Sequence, residues 1–268
     1  MRRYIKDLKD NIIMKTFQTK EELISEWEVN GACKAGQEFN KSCRDLQEIL
    51  EKCPLRFRIW RIKKGYTQFA EHCPWDKLSS HAWVEILSCQ PQYADKCNFD
   101  LMNEYDWATL LSKQPQFADK CPWDSLNGFQ WSIILSSQPQ FAERCNWLRL
   151  EGYDWALLLS HQPEYSRFCD WSKLCGRDWA LLLSSQPQFK DGCSWDSLDG
   201  YDWVNLLSSQ PQFAPHCDWS KLHGHDWVNL LVEKPEFHVH CDWNKLKEYH
   251  WRILLKLQPQ FKMYKYNK

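Results

Sequence analysis

The sequence predicts an all-α solenoid: about eight 24-residue units, each an α-helix followed by a short α- or 3₁₀-helix, behind a helical N-terminal cap. Three observations predict it. Trp83 recurs at every 24th residue as far as Trp251, Cys73 as far as Cys241, and Pro91 as far as Pro259, without insertion or deletion. Within each unit the apolar residues follow a helical period. Alternation of the kind a strand requires is absent, and Val, Ile and Thr are sparse, which argues against a β-solenoid.

One unit, Asp154 to Arg177, justifies the elements in order. Asp154 is positioned to cap a helix by accepting from the amides of its first turn. Trp155, Leu158 and Leu159 then fall on one helical face. Gln162 precedes Pro163, which ends the first helix and suits the first position of a second. Tyr165, Phe168 and Cys169 are expected to face inward from that second helix. Asp170 opens a tighter turn through Trp171 to Leu174, of 3₁₀ character. Gly176 is expected to supply a positive φ for the return.

A second aromatic column runs Trp75, Phe99, Trp123 and on to Trp243, each followed three residues later by Leu or Met. No single unit can bury two aromatics by itself, so units must cover one another's apolar faces. Gln recurs before the Pro, from Gln90 to Gln258, interrupted by Lys234. A Gln there is placed to bond the carbonyls freed at the end of the first helix, as a ladder between units.

The ends depart from the period. Residues 1–53 form the predicted helical cap, with Trp27, Leu46, Ile49 and Leu50 as its apolar positions. The solenoid is expected over 54–261, its first unit degenerate, with 262–268 as a polar tail.

Composition narrows function. Seventeen Trp and an aromatic content of 15% exclude a disordered chain. The net charge of −1 gives no global field toward nucleic acid or an anionic membrane. Residues 1–68 carry 15 Lys/Arg against 10 Asp/Glu, the remainder 19 against 25. The basic excess is densest at Arg56, Arg58, Arg61, Lys63 and Lys64, read first as solvated helix charges and second as a partner-binding patch. No apolar run reaches a membrane span. The opening Met-Arg-Arg-Tyr-Ile-Lys-Asp lacks the apolar core of a signal peptide. A reducing cytoplasm is expected for the thirteen cysteines.

The cysteine column repeats too widely for neighbours to form a disulfide or share a zinc, and reads as small buried hydrophobes. His238, His240 and Cys241 sit close together, as do His216 and Cys217, but other units carry Ala, Asp, Lys or Glu there. No metal or cofactor is expected. No phosphate loop, dinucleotide fingerprint or nucleophile elbow occurs, and a carboxylate repeated once per unit is a capping pattern, so no enzyme is expected.

Columns that vary between units are free of packing duty. The residue two before each first-helix Trp runs His81, Tyr105, Phe129, Tyr153, Arg177, Tyr201, His225 and Tyr249. Two readings stand: interface anchors of the Tyr and Arg type, or an aromatic stapling the helix start. The pairs before the Cys vary as well, as in Arg167-Phe168, Asp191-Gly192, Pro215-His216 and Val239-His240.

The unit D-W-x-x-L-L-x-x-Q-P-x-F-x-x-x-C-x-W-x-x-L-x-G resembles tandem repeats of uncharacterised bacterial and phage proteins over residues 73–261. In unit length and helix layout it is similar to leucine-rich variant repeats, which are α/3₁₀ solenoids. The resemblance implies an architecture and no activity; a phage source would imply, by analogy, capture of a host defence protein. The expected function is a protein- or peptide-binding scaffold, an adaptor or stoichiometric inhibitor. The alternative is single-stranded nucleic-acid binding through an aromatic column, which the acidic balance of the array disfavours.

Overall fold

The computed structural model describes residues 15–29, 31 and 33–266. The opening heptapeptide lies outside the described residues, as do the last two residues of the tail. Among the described residues there is no strand, only an isolated bridge between Lys15 and Tyr66. No described helix is long and apolar enough to cross a membrane. The fold is an all-α solenoid, divided into two compact units, Met1–Pro122 and Trp123–Lys268.

The first unit opens with α1 (Lys20–Val29), α2 (Lys34–Ser42) and α3 (Leu46–Lys52), which do not share the 24-residue period. Of the expected apolar positions Trp27, Ile49 and Leu50 are buried there and Leu46 is half-buried; Leu23 is buried with them. Then come α4 (Leu55–Lys63), α5 (Gln68–Glu71) and the first regular helices, α6 (Ser80–Cys89) and α7 (Glu104–Lys113). Helix α6 packs on α4 and on α7.

The second unit is a regular series: α8 (Gly128–Ser137), α9 (Gly152–His161), α10 (Gly176–Ser185), α11 (Gly200–Ser209), α12 (Gly224–Glu233) and α13 (Glu248–Leu257), ending in α14 (Lys262–Tyr266). Each of α8 to α13 packs on the next. Between consecutive helices from α8 to α13 lie two 3₁₀ segments, for example Pro163–Phe168 and Trp171–Lys173 between α9 and α10.

The first-helix tryptophans form the centre. From Trp83 to Trp251 none is more than 3% exposed, and Leu158 and Leu159 with their counterparts are fully buried except Leu255, which is half-buried in the last regular helix. The leucine three residues after the second aromatic, such as Leu150, Leu198 and Leu222, closes the layer at 0% exposure. The second aromatic column is only half-buried: Trp147 stacks on Trp155 at 5.6 Å and Trp195 on Trp203 at 5.6 Å.

Two local readings are corrected. The helix α9 starts at Gly152, so Asp154 is its third residue and Glu151 the cap. Asp154 works backwards: its Oδ2 accepts from the Glu151 N–H at 2.9 Å. Asp178, Asp202 and Asp226 do the same for Cys175, Asp199 and His223. The helix begins early because this reciprocal bond satisfies an amide outside it. Second, Gly176 does not supply a positive φ; among the described residues only Gly31 and Gly65 do. From Gly128 to Gly224 the column needs glycine for space. A Cβ on Gly200 would lie 2.7 Å from the Lys221 carbonyl of the following repeat.

Of the second-helix residues, Tyr165 is buried but Phe168 is 42% exposed and Cys169 half-buried, because a 3₁₀ segment turns faster than an α-helix.

The Gln ladder is present. Gln114, Gln186, Gln210 and Gln258 donate through Nε2 to the carbonyls of Ser88, Ser160, Ser184 and Val232 in the preceding repeat, at 2.8–2.9 Å. The second Gln of Q-P-Q orients the first: Gln188 Nε2 donates to Gln186 Oε1 at 2.7 Å. A second ladder runs from cations. Lys173, Lys221 and Lys245 donate to the carbonyls of Leu150, Leu198 and Leu222, and Arg149 to that of Leu126, at 2.8–2.9 Å.

Candidate partner-binding surface

The capping register places the variable aromatic column. Because the helix starts three residues earlier than Asp154 as a cap suggests, Tyr153 and its counterparts occupy the second helical position and not the one before the cap. The stapling alternative therefore falls: a staple is buried against the helix, whereas Tyr105, Tyr153, Tyr201 and Tyr249 are 43–58% exposed. His81, Arg177 and His225 are exposed too, and Phe129 is half-buried. In the second unit neighbouring members touch. Phe129 stacks on Tyr153 at 6.3 Å, and His225 meets Tyr249 edge-on at 6.1 Å.

Tyr201 stands between two depressions of different chemistry. One, of about 550 Å³, is lined by Asp196, Asp199 and Asp226 with Lys221 and His223. Three carboxylates against the one lysine, whose Nζ donates to backbone carbonyls, set the sign. The other, of about 280 Å³, is lined by Val204, Val228, Val232, Ile253 and Leu257, with Asn205, Asn229 and Glu233 at its edges. An acidic hollow and an apolar hollow sharing one exposed phenol accept a partner that presents a basic and an apolar side chain side by side.

Apolar residues outside the core stripe mark the same face. Leu181, Ile253 and Leu257 are 39–53% exposed. They lie off the i, i+3, i+4 pattern of their helices, a signal present in the sequence but overlooked there. The acidic hollow was not legible, because Asp196 and Asp226 come from different repeats.

The basic cluster is corrected. Arg58 and Arg61 are buried. Arg58 donates to the carbonyls of Leu50 at 2.7 Å and Phe69 at 3.2 Å. The Arg61 guanidinium lies 3.9 Å from the Trp27 ring centre and 4.4 Å from that of Phe69, and bonds Asn40 Oδ1 at 2.9 Å. Lys63 pairs with Glu85 at 3.1 Å. Arg56 and Lys64 are the exposed members. The patch is a packing device, since guanidinium planes match aromatic faces and free carbonyls.

Among the described residues no three His, Cys, Asp or Glu side chains converge as a metal would need. His216 and His240 have another place: they lie on Trp195 and Trp219, 4.4 and 4.3 Å away and almost parallel to them. The described cysteines are free thiols. Burial pushes those of Cys145, Cys193, Cys217 and Cys241 up to about 12, so they are not nucleophiles near neutrality.

No protein family, curated protein or solved structure matches the chain.

Proposed function

We propose that this chain is a non-enzymatic solenoid scaffold that binds a protein or peptide through the exposed face of its first helices, acting stoichiometrically as an adaptor or inhibitor. The observation that carries this reading is Tyr201, exposed between an acidic and an apolar depression. Rigid helices hold that residue, as an interface anchor requires. The recurring carboxylates are engaged in capping, which supports binding over catalysis. The thirteen unpaired thiols suit a reducing cytosol. The layout of the unit, similar to leucine-rich variant repeats, supports a scaffold.

The test is affinity capture from lysate of the source cells. The wild-type chain is compared with a Tyr153→Ala, Tyr201→Ala, Tyr249→Ala variant of equal thermal stability. A partner recovered by the first and lost by the second is the expected result. Equal recovery by both, or salt-sensitive binding of a generic oligonucleotide instead, overturns it.

A further inference from the structure

In most repeats the residue just before the column cysteine, or before Lys265 where that column ends, covers an aromatic of the preceding repeat. Within the second unit, Arg144 lies over Trp123 at 5.2 Å, Phe168 over Trp147 at 4.7 Å, and Tyr264 over Trp243 at 4.5 Å. His216 and His240 follow the same pattern on Trp195 and Trp219. In the first unit Lys120 covers Phe99 at 4.9 Å, while Lys96 turns to Asp95 at 3.2 Å. Within the second unit one position breaks the rule. Gly192 has no side chain to offer, and the ring partners of Trp171 are Trp179 and Phe189, the counterparts of the Trp155 and Tyr165 that flank Trp147, with nothing in the place of Phe168.

The break is local. Gly192 ends its 3₁₀ segment as its counterparts do, and its φ is negative. Its backbone does not demand glycine. A Cβ there would meet Trp179 at 3.1 Å, tight contact with one ring edge, and the counterparts Phe168 and His216 carry large side chains. The chain thus gives up a stacking contact in the middle of a regular column, the kind of local exception that marks a site.

We infer that the uncovered face of Trp171 is a receptor for one arginine side chain of a protein or peptide partner. The other repeats define what fits: a planar group, aromatic or cationic. Charge selects the cation. Asp170 precedes Trp171, and hydrogen bonds from Ser172 keep its carboxylate ionised. Asp191, 86% exposed, precedes Gly192 and pairs through Oδ1 with Lys190 at 2.7 Å, an exposed contact that a guanidinium can share. A guanidinium stacks on the indole and bonds a carboxylate at its edge with the same plane, which an ammonium cannot do. The Arg144–Trp123 pair is the same recognition carried out within the chain. This site lies outside the Tyr201 face and does not depend on it.

Indole N–H resonances of the full chain, with Trp171 assigned by Trp171→Phe, are followed on titration with acetyl-Gly-Arg-Gly-amide and with the peptide carrying neutral citrulline in place of Arg. The Trp171 signal is expected to move with the first peptide and little with the second. Gly192→His is expected to abolish the movement by filling the face, and Asp191→Asn to weaken binding about two- to fivefold. No movement at Trp171, equal movement for citrulline, or unchanged binding in both variants overturns the proposal. Asp191→Asn, at an exposed position, keeps the test decisive if Gly192→His does not fold. A silent Trp171 with partner capture still lost on changing Tyr201 sinks this site alone.

Discussion

Gly200 lies directly beneath Lys221: a Cβ on the glycine would come within 2.7 Å of the lysine carbonyl and 2.5 Å of Asp226 Oδ2. The lysine side chain meanwhile reaches back to the Leu198 carbonyl at 2.9 Å. Consecutive repeats are thus locked at the helix start by a contact that only glycine allows. Gly200→Ala is expected to destabilise the protein by about 1–3 kcal/mol, since backbone cannot rotate out of the way as a side chain does. Urea unfolding measures it, and a loss below a few tenths of a kcal/mol would refute the close-approach explanation.

Gln186 is expected to matter through one bond. Gln186→Met keeps the length of the side chain but orphans the Ser160 carbonyl, which it holds at 2.9 Å. The expected cost is about 1–2 kcal/mol. Gln188→Met removes only the orienting bond to Gln186 Oε1 and is expected to cost less. Equal effects in paired melts would mean that the ladder is not what those side chains contribute.

Buried carboxylates and a buried histidine predict opposite pH dependences. Burial raises Asp154 and Asp202 above the usual carboxylate range, despite the backbone amides that each accepts. The native state then holds those protons more tightly than the unfolded chain, so stability from them is greatest below that range and falls as pH rises through the raised values. His250 is lowered, by burial first and then by the charges of His225 and Lys247. Its Nδ1 accepts from the Lys247 N–H at 3.0 Å and must stay unprotonated. Its contribution is whole above the ordinary histidine value and is lost as pH falls through that value toward the lowered one. His250→Gln imitates Gln130, which makes the same bond in α8 at 3.0 Å. Unfolding of this variant is expected to lose less stability between pH 7 and pH 5 than the wild type; an identical profile would absolve the histidine.

Thiol chemistry is expected to sort by burial. Exposed Cys33, Cys89 and Cys175 should label with a maleimide in the native state at pH 7.5. Cys145 and Cys217, pushed up to about 12, should wait for unfolding. Mass mapping of the labelled peptides reads the order directly.

Residues two apart in α11 are expected to behave oppositely. Trp203→Ala empties the core and should cost about 3–5 kcal/mol. Tyr201→Ala removes an exposed ring and should stay within about 0.5 kcal/mol. A large loss from Tyr201 would mean that it packs instead of binding.

Much of this protein was legible in its sequence. The fixed step of Trp83, Cys73 and Pro91 specifies a repeat, and the spacing of Trp155, Leu158 and Leu159 specifies a helix, because both are periodicities that one chain carries in itself. The Gln ladder was readable for the same reason: Gln before Pro sits where a helix must release its carbonyls. What the tertiary structure decided are the relations between repeats. Arg58 and Arg61 look like surface charge in a linear reading, and only packing reveals Trp27, Phe69 and free carbonyls around them. Gly176 looks like a turn residue, yet the following repeat is what forbids it a side chain. Tyr201 gains its two hollows, and Trp171 its uncovered face, from residues about a repeat away. Period is a property of neighbours along the chain, whereas a surface is made by side chains that meet only when one unit is laid on the next.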